Sequence, residues 1–107
     1  MTVSHHELCF GCGLANLFGL QMELTRDGDR VTGRFFAKQD HQGADGSVHR
    51  GVLFAALEDA MELAGGHARE VEFLAPVAIG TFVDVSASAD EAELRSGGEL
   101  MARATAG

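Results

Sequence analysis

Residues 49–61 read HRGVLFAALEDAM. Wound as a helix, the run from Val48 to Leu63 puts Val52, Leu53, Ala55, Ala56, Leu57, Ala60 and Met61 on almost every side. A helix with so little polar surface is buried nearly all round. Gly65-Gly66 supply the stop. Yet Glu58 and Asp59 stand together in the middle of it. A single apolar helix of this kind needs a sheet to wrap it, and the flanking segments supply one.

Upstream, LQMELT (20–25) alternates Leu20, Met22 and Leu24 with polar neighbours, and VTGRFFA (31–37) resumes the alternation. Between them RDGDR (26–30) centres a turn on Asp27-Gly28, which predicts a hairpin. Residues 1–16 read as irregular, and KQDHQGADGS (38–47) as a loop. Downstream, REVEFLAPV (69–77) reads as a strand closed by Pro76. TFVDVSASA (81–89) follows with Val83, Val85 and Ala87 on one face, then ELMARATA (99–106) after the turn SGG (96–98). Two strands, one buried helix and about three more strands predict an α+β fold in a single domain, 1–107.

The chain has 107 residues and a formal net charge of −8. A core this small gains from a second copy, since a short chain buries a modest share of its surface. The negative charge argues against nucleic acid, whose binding rests on neutralised phosphates, and against an anionic membrane surface. No apolar run approaches the roughly 18 residues of a membrane span, and MTVSHHELCFGCG lacks the apolar core of a secretory signal. Two cysteines spaced C-x-x-C form no disulfide framework, so a reducing, cytoplasmic location is expected.

His49 and Glu58 lie nine positions apart, hence roughly 13 Å along a helix axis and on opposite faces. They cannot meet within one chain. A site using both must combine His49 of one copy with Glu58 of another, as an antiparallel helix pair across a two-fold axis does. The helix start adds unpaired N–H groups at His49, Arg50 and Gly51, which favour a carbonyl oxygen gaining negative charge. A carboxylate in apolar surroundings suits base or nucleophile work. Spacing alone leaves a second reading open, in which Glu58, Asp59 and Glu62 mark a narrow solvated strip.

HHELCFGC (5–12) offers His5, His6, Cys9 and Cys12 as soft ligands. A structural zinc site usually draws on two separated ligand pairs, and these four share one segment. No metal is assigned. Cys9 and Cys12 read as small packed residues, with Gly11 and Gly13 allowing close approach. A redox C-x-x-C would want a βαβ context, and none is present.

Three segments resemble the hotdog-fold acyl-CoA thioesterases, in the branch that includes the phenylacetate-degradation type. CFGCGLANLFGLQMEL (9–24) is similar to that branch's C-F-G-C-G-x-x-N-x-x-G-L signature. HQGADGSVHRGVLFAALEDAM (41–61) is similar to its H-Q-G-x-x-G-x-V-H-G-G-V-L-x-x-x-L-D-E-A-M core, and AREVEFLAPVAIG (68–80) to the strand and proline turn that follow. The resemblance implies an antiparallel sheet wrapped around one central helix, protomers joined as a homodimer or homotetramer, and active sites between them. It implies hydrolysis of an acyl-CoA to free acid and CoA with no metal or organic cofactor. Glu58 takes the place of the catalytic carboxylate, His49 that of the histidine at the helix start, and Gly51 that of the second glycine. The family's backbone N–H that polarises the thioester carbonyl falls, by the same resemblance, at Arg50. Asp59 matches the neighbouring acid, and His41, Gln42 and His67 fall at substrate-side positions. Arg34, Arg50, Arg69 and Arg103 are the candidates for CoA phosphates.

The sequence departs from that pattern in places. H-R-G replaces H-G-G, and His67 falls where a Thr or Ser often helps bind water. The connection after the helix and the last hairpin are short, which predicts a trimmed sheet. A non-catalytic hotdog module holding an acyl ligand or a partner protein is the alternative. A hotdog dehydratase fits poorly, because its Asp-and-His motif is not matched.

Overall fold

A computed structural model describes residues 1–107. Strands β1 (Thr2–Val3), β2 (Leu24–Asp27) and β3 (Arg30–Phe36) precede helix α1 (Arg50–Leu63). Strands β4 (Glu70–Phe73), β5 (Phe82–Ala87), β6 (Glu91–Ser96) and β7 (Glu99–Thr105) follow it. All seven form one antiparallel sheet in the order β1-β2-β3-β5-β6-β7-β4. The chain therefore crosses from the helix to the far edge before returning to the centre. No helix is long and apolar enough to cross a membrane.

The expected hairpin is present, with Thr25 opposite Thr32 and Asp27 opposite Arg30. Leu20, Met22 and Leu24 all point inward and are buried. Only Leu24 is in the strand, because the main chain before it pairs elsewhere. The N–H of Leu20 donates to the carbonyl of Phe10 at 2.7 Å, and that of Met22 to Gly11 at 3.0 Å. The N-terminal segment is thereby stitched along this part of the chain.

One face of the sheet carries the core. Val31 and Phe35 of β3, Val83, Val85 and Ala87 of β5, Ala92 and Leu94 of β6, and Ala102 and Ala104 of β7 are buried there. Against them α1 lays Leu53, Ala56, Leu57, Ala60 and Met61, the i, i+3, i+4 stripe of a helix packed on one side. The expectation of burial all round is corrected here. Phe54 is 38% exposed and Gly51 is also open, because the chain's own sheet covers only one side of the helix.

The helix stops as its sequence requires. Gly65 takes φ +100°, its N–H reaches the Glu62 carbonyl at 3.0 Å, and the Gly66 N–H reaches that of Met61 at 2.8 Å. This paired closure needs a left-handed residue, which glycine supplies without Cβ strain.

Strand β6 is the element that the sequence pattern missed. EAELRS places only Ala92 and Leu94 inward, flanked by Glu91, Glu93 and Arg95, so four strands follow the helix rather than three. The connection is short, as expected: Gly97-Gly98 alone join β6 to β7.

Candidate functional site

The helix start opens onto a cleft of about 510 Å³, within the range of small-molecule sites. Its walls are the loop Gly43–Val48, the helix residues His49, Arg50 and Leu53, and the run Phe73 to Pro76 at the end of β4. His49 is the N-cap. Its Nδ1 accepts the Gly51 N–H at 2.9 Å, which fixes the proton of the neutral ring on Nε2. The Gly51 N–H is therefore spent inside the chain, whereas no protein acceptor takes the N–H of Arg50. The Arg50 guanidinium lies over the Phe73 ring, 5.2 Å from its centre.

Glu58 does not line this cleft. It lies farther along α1 with its side chain 24% exposed, and its Oε1 accepts the Ala68 N–H at 3.0 Å. His67 Nδ1 is 3.7 Å from Glu58 and 3.6 Å from Glu62, so the short connection after the helix brings His67 beside both acids. Glu58 and Glu62 thus share a stripe, one turn apart, as their spacing foretold. No Lys or Arg pairs with Glu58. The single chain keeps His49 and Glu58 apart, in agreement with the helix geometry.

Asp59 points elsewhere. Its Oδ2 accepts from the Cys9 thiol at 3.2 Å, and His5 and Cys12 complete that cluster. Burial pushes the Cys12 thiol up to about 11, and the neighbouring Cys9 and Asp59 add to this against a hydrogen bond from the His5 N–H. His41 is 1% exposed. Its Nδ1 accepts the Lys38 N–H at 3.2 Å, and its Nε2 lies 3.1 Å from the Gly19 carbonyl. The ring thus ties the loop to the N-terminal segment and presents no free nitrogen. Gln42 is exposed and forms an isolated bridge with Val48.

The four arginines do not gather. Arg34 pairs with Asp84 at 3.2 Å and Arg103 with Glu72 at 2.7 Å. Their strands are three ladder steps apart, about 14 Å. Arg69 leads into β4, and only Arg50 borders the cleft. A second hollow of about 300 Å³ over β4, β6 and β7 is lined by Glu70, Glu72, Glu91 and Glu93 together with Arg103, and since Arg103 is already paired with Glu72 the surplus of carboxylates makes it a poor seat for phosphate. Sequence reasoning gave no role to Phe73 and Leu74 as cleft walls, although both lie in the segment 68–80 that carried part of the resemblance. Two side-chain groups have metal-ligating chemistry: His5, Cys9, Cys12 and Asp59, and separately Glu58, Glu62 and His67.

No protein-family model matches the sequence, and no curated protein does. Solved structures do match the fold. A thioesterase superfamily protein superposes with a TM-score of 0.73 at 18% identity over 92% of this chain, which spans 60% of that protein's length. The PaaI protein of the E. coli phenylacetic acid degradation operon gives 0.70 at 17% identity, covering 79% of this chain and 77% of its own. A phenylacetic acid degradation-related protein of Ralstonia eutropha gives 0.66 at 20%, covering 81% and 83%. One helix laid on a seven-stranded antiparallel sheet is thus the hotdog fold, shared with these thioesterase-superfamily and PaaI proteins.

Proposed function

We propose that this chain hydrolyses an acyl-CoA thioester to the free acid and CoA, as a dimer or tetramer whose sites lie between protomers. The observation that carries the reading is Glu58. A carboxylate halfway along a largely apolar helix is oriented by the Ala68 N–H, partly open, and left without a cationic side chain other than His67 if protonated. That is an acceptor free to take a proton. In the proposed reaction Glu58 removes a proton from water, and the hydroxide adds to the thioester carbonyl. The oxyanion meets the Arg50 N–H at the partner's helix start, since the Gly51 N–H is already given to His49. Collapse breaks the C–S bond and CoA leaves as the thiol with the proton that Glu58 held. Direct attack by Glu58, through an anhydride that water then opens, uses the same groups. Of the other candidates, only His67 stands beside the reacting carboxylate; Asp59 and His41 are committed to the N-terminal segment and its loop, and Gln42 is exposed. Free thiols at Cys9 and Cys12 fit a cytoplasmic setting.

Hydrolysis of short, aromatic and long acyl-CoA substrates tests this. Glu58→Gln should lower kcat by about 10²–10⁴-fold with the oligomer intact. Normal turnover in that variant removes Glu58 from the reaction. The second reading, a non-catalytic module binding an acyl ligand or a protein, draws on Arg50. Its side chain lies across Phe73 at the cleft, where the resembling H-G-G pattern has no side chain. Absence of hydrolysis across the panel, together with saturable acyl-CoA binding, favours that reading.

A further inference from the structure

We propose that His5, Cys9, Cys12 and Asp59 form a zinc site that clamps the N-terminal segment to the central helix. Nothing in the proposed hydrolysis requires it.

The four donor atoms all lie within 4.8 Å of one another. His5 Nδ1 is 3.3 Å from Cys12 Sγ and 3.9 Å from Cys9 Sγ, and Cys9 Sγ is 3.2 Å from Asp59 Oδ2. In a tetrahedral zinc centre, metal–ligand lengths of about 2.0 to 2.3 Å put neighbouring donors about 3.3 to 3.8 Å apart. The three quoted separations bracket that span, and the remaining pairs, none beyond 4.8 Å, need only a small inward shift to close around an ion. Two sulfurs, one imidazole nitrogen and one carboxylate oxygen suit zinc and not the harder magnesium or calcium ions.

The surroundings are built toward the same end. The loop Cys9–Cys12 approaches the helix so closely that a Cβ on Gly11 would fall 2.0 Å from Asp59 Oδ2. The main-chain N–H of His5 donates to Cys12 Sγ at 3.2 Å. The other ring nitrogen of His5 faces Glu62 Oε1 at 3.7 Å, so a small shift would give the carboxylate–histidine hydrogen bond that orients metal-bound imidazoles. Ligands also come from two places after all. Three lie in residues 5–12 and the fourth arrives from α1, fifty positions after Cys9. His6 takes no part; its Nδ1 caps the Leu8 N–H at 3.0 Å.

Zinc binding replaces the S–H protons of Cys9 and Cys12, which pass to solvent. The ion then joins the loop to the helix one residue from Glu58. Because Glu62 stands between His5 and His67, the clamp also limits where the partners of Glu58 can sit.

The test is metal analysis of the untagged full-length chain, grown with added zinc and kept reduced, followed by Co²⁺ titration of the chelated protein. One zinc per chain is expected, together with a thiolate-to-cobalt charge-transfer band and the visible bands of a tetrahedral site. Cys9→Ser and Asp59→Asn should each lose stoichiometric zinc and weaken the cobalt spectrum, while His6→Ala keeps both. Chelation should lower the Tm of the parent chain and leave that of Cys9→Ser unchanged. No metal uptake by the folded, reduced parent chain overturns the proposal, and that measurement depends on no variant. A Cys9–Cys12 disulfide in anaerobically purified protein, or loss of zinc in His6→Ala, also overturns it.

Discussion

Glu58 and Asp59 adjoin in the chain and share a charge, but the structure gives them separate company: the Ala68 N–H and His67 for one, the Cys9 thiol for the other. Successive helical residues diverge by about 100°, so the pair was never going to act at one spot. The resemblance assigned the catalytic place to Glu58. The second role of Asp59 depends on a loop far away in sequence, which no local pattern reveals. His41 teaches the opposite lesson. Its chemistry looks like that of a ligand contact, but both ring nitrogens are occupied by main-chain groups in a buried position. His41→Ala should therefore cost about 3 kcal/mol in urea unfolding, from a cavity and from buried polar groups left unpaired. Wild-type stability in that variant would show that the ring ties nothing down.

At the level of elements, the helix and the first hairpin were legible because their signals are local. Alternation, a DG turn and a double-glycine stop need no partner to be read. Strand β6 was not, because Glu91, Glu93 and Arg95 are poor strand formers and the inward row has just two members. Its place is set by neighbours on both sides, with Leu94 opposite Val85 of β5 and Ala102 of β7. Leu94 is fully buried, so Leu94→Ala should lower stability by about 3 kcal/mol, measured by thermal or urea melts. A loss below about 0.5 kcal/mol would mean that the strand is peripheral to the core. The two-residue β1 lies beyond any sequence signal, since alternation cannot be judged over Thr2 and Val3.

For the whole molecule, the uncovered side of α1 is the feature with most consequence. Gly51, Phe54 and Glu58 follow one another along it, away from the sheet. A second copy laid there would cover Phe54 and bring one chain's Glu58 toward the other's helix start, as the proposed reaction needs. Phe54→Asp should then yield monomers in light scattering and lose hydrolysis together with assembly. A fully active Phe54→Asp monomer would separate the activity from any shared site. The carboxylate pair has a mechanical meaning as well. With Glu58 hydrogen-bonded on one flank of α1 and Asp59 on the other, a roll of the helix about its long axis would stretch one of the two bonds. The two acids act as opposed stays on a mast, adding to the heading that the buried stripe of α1 takes from the sheet.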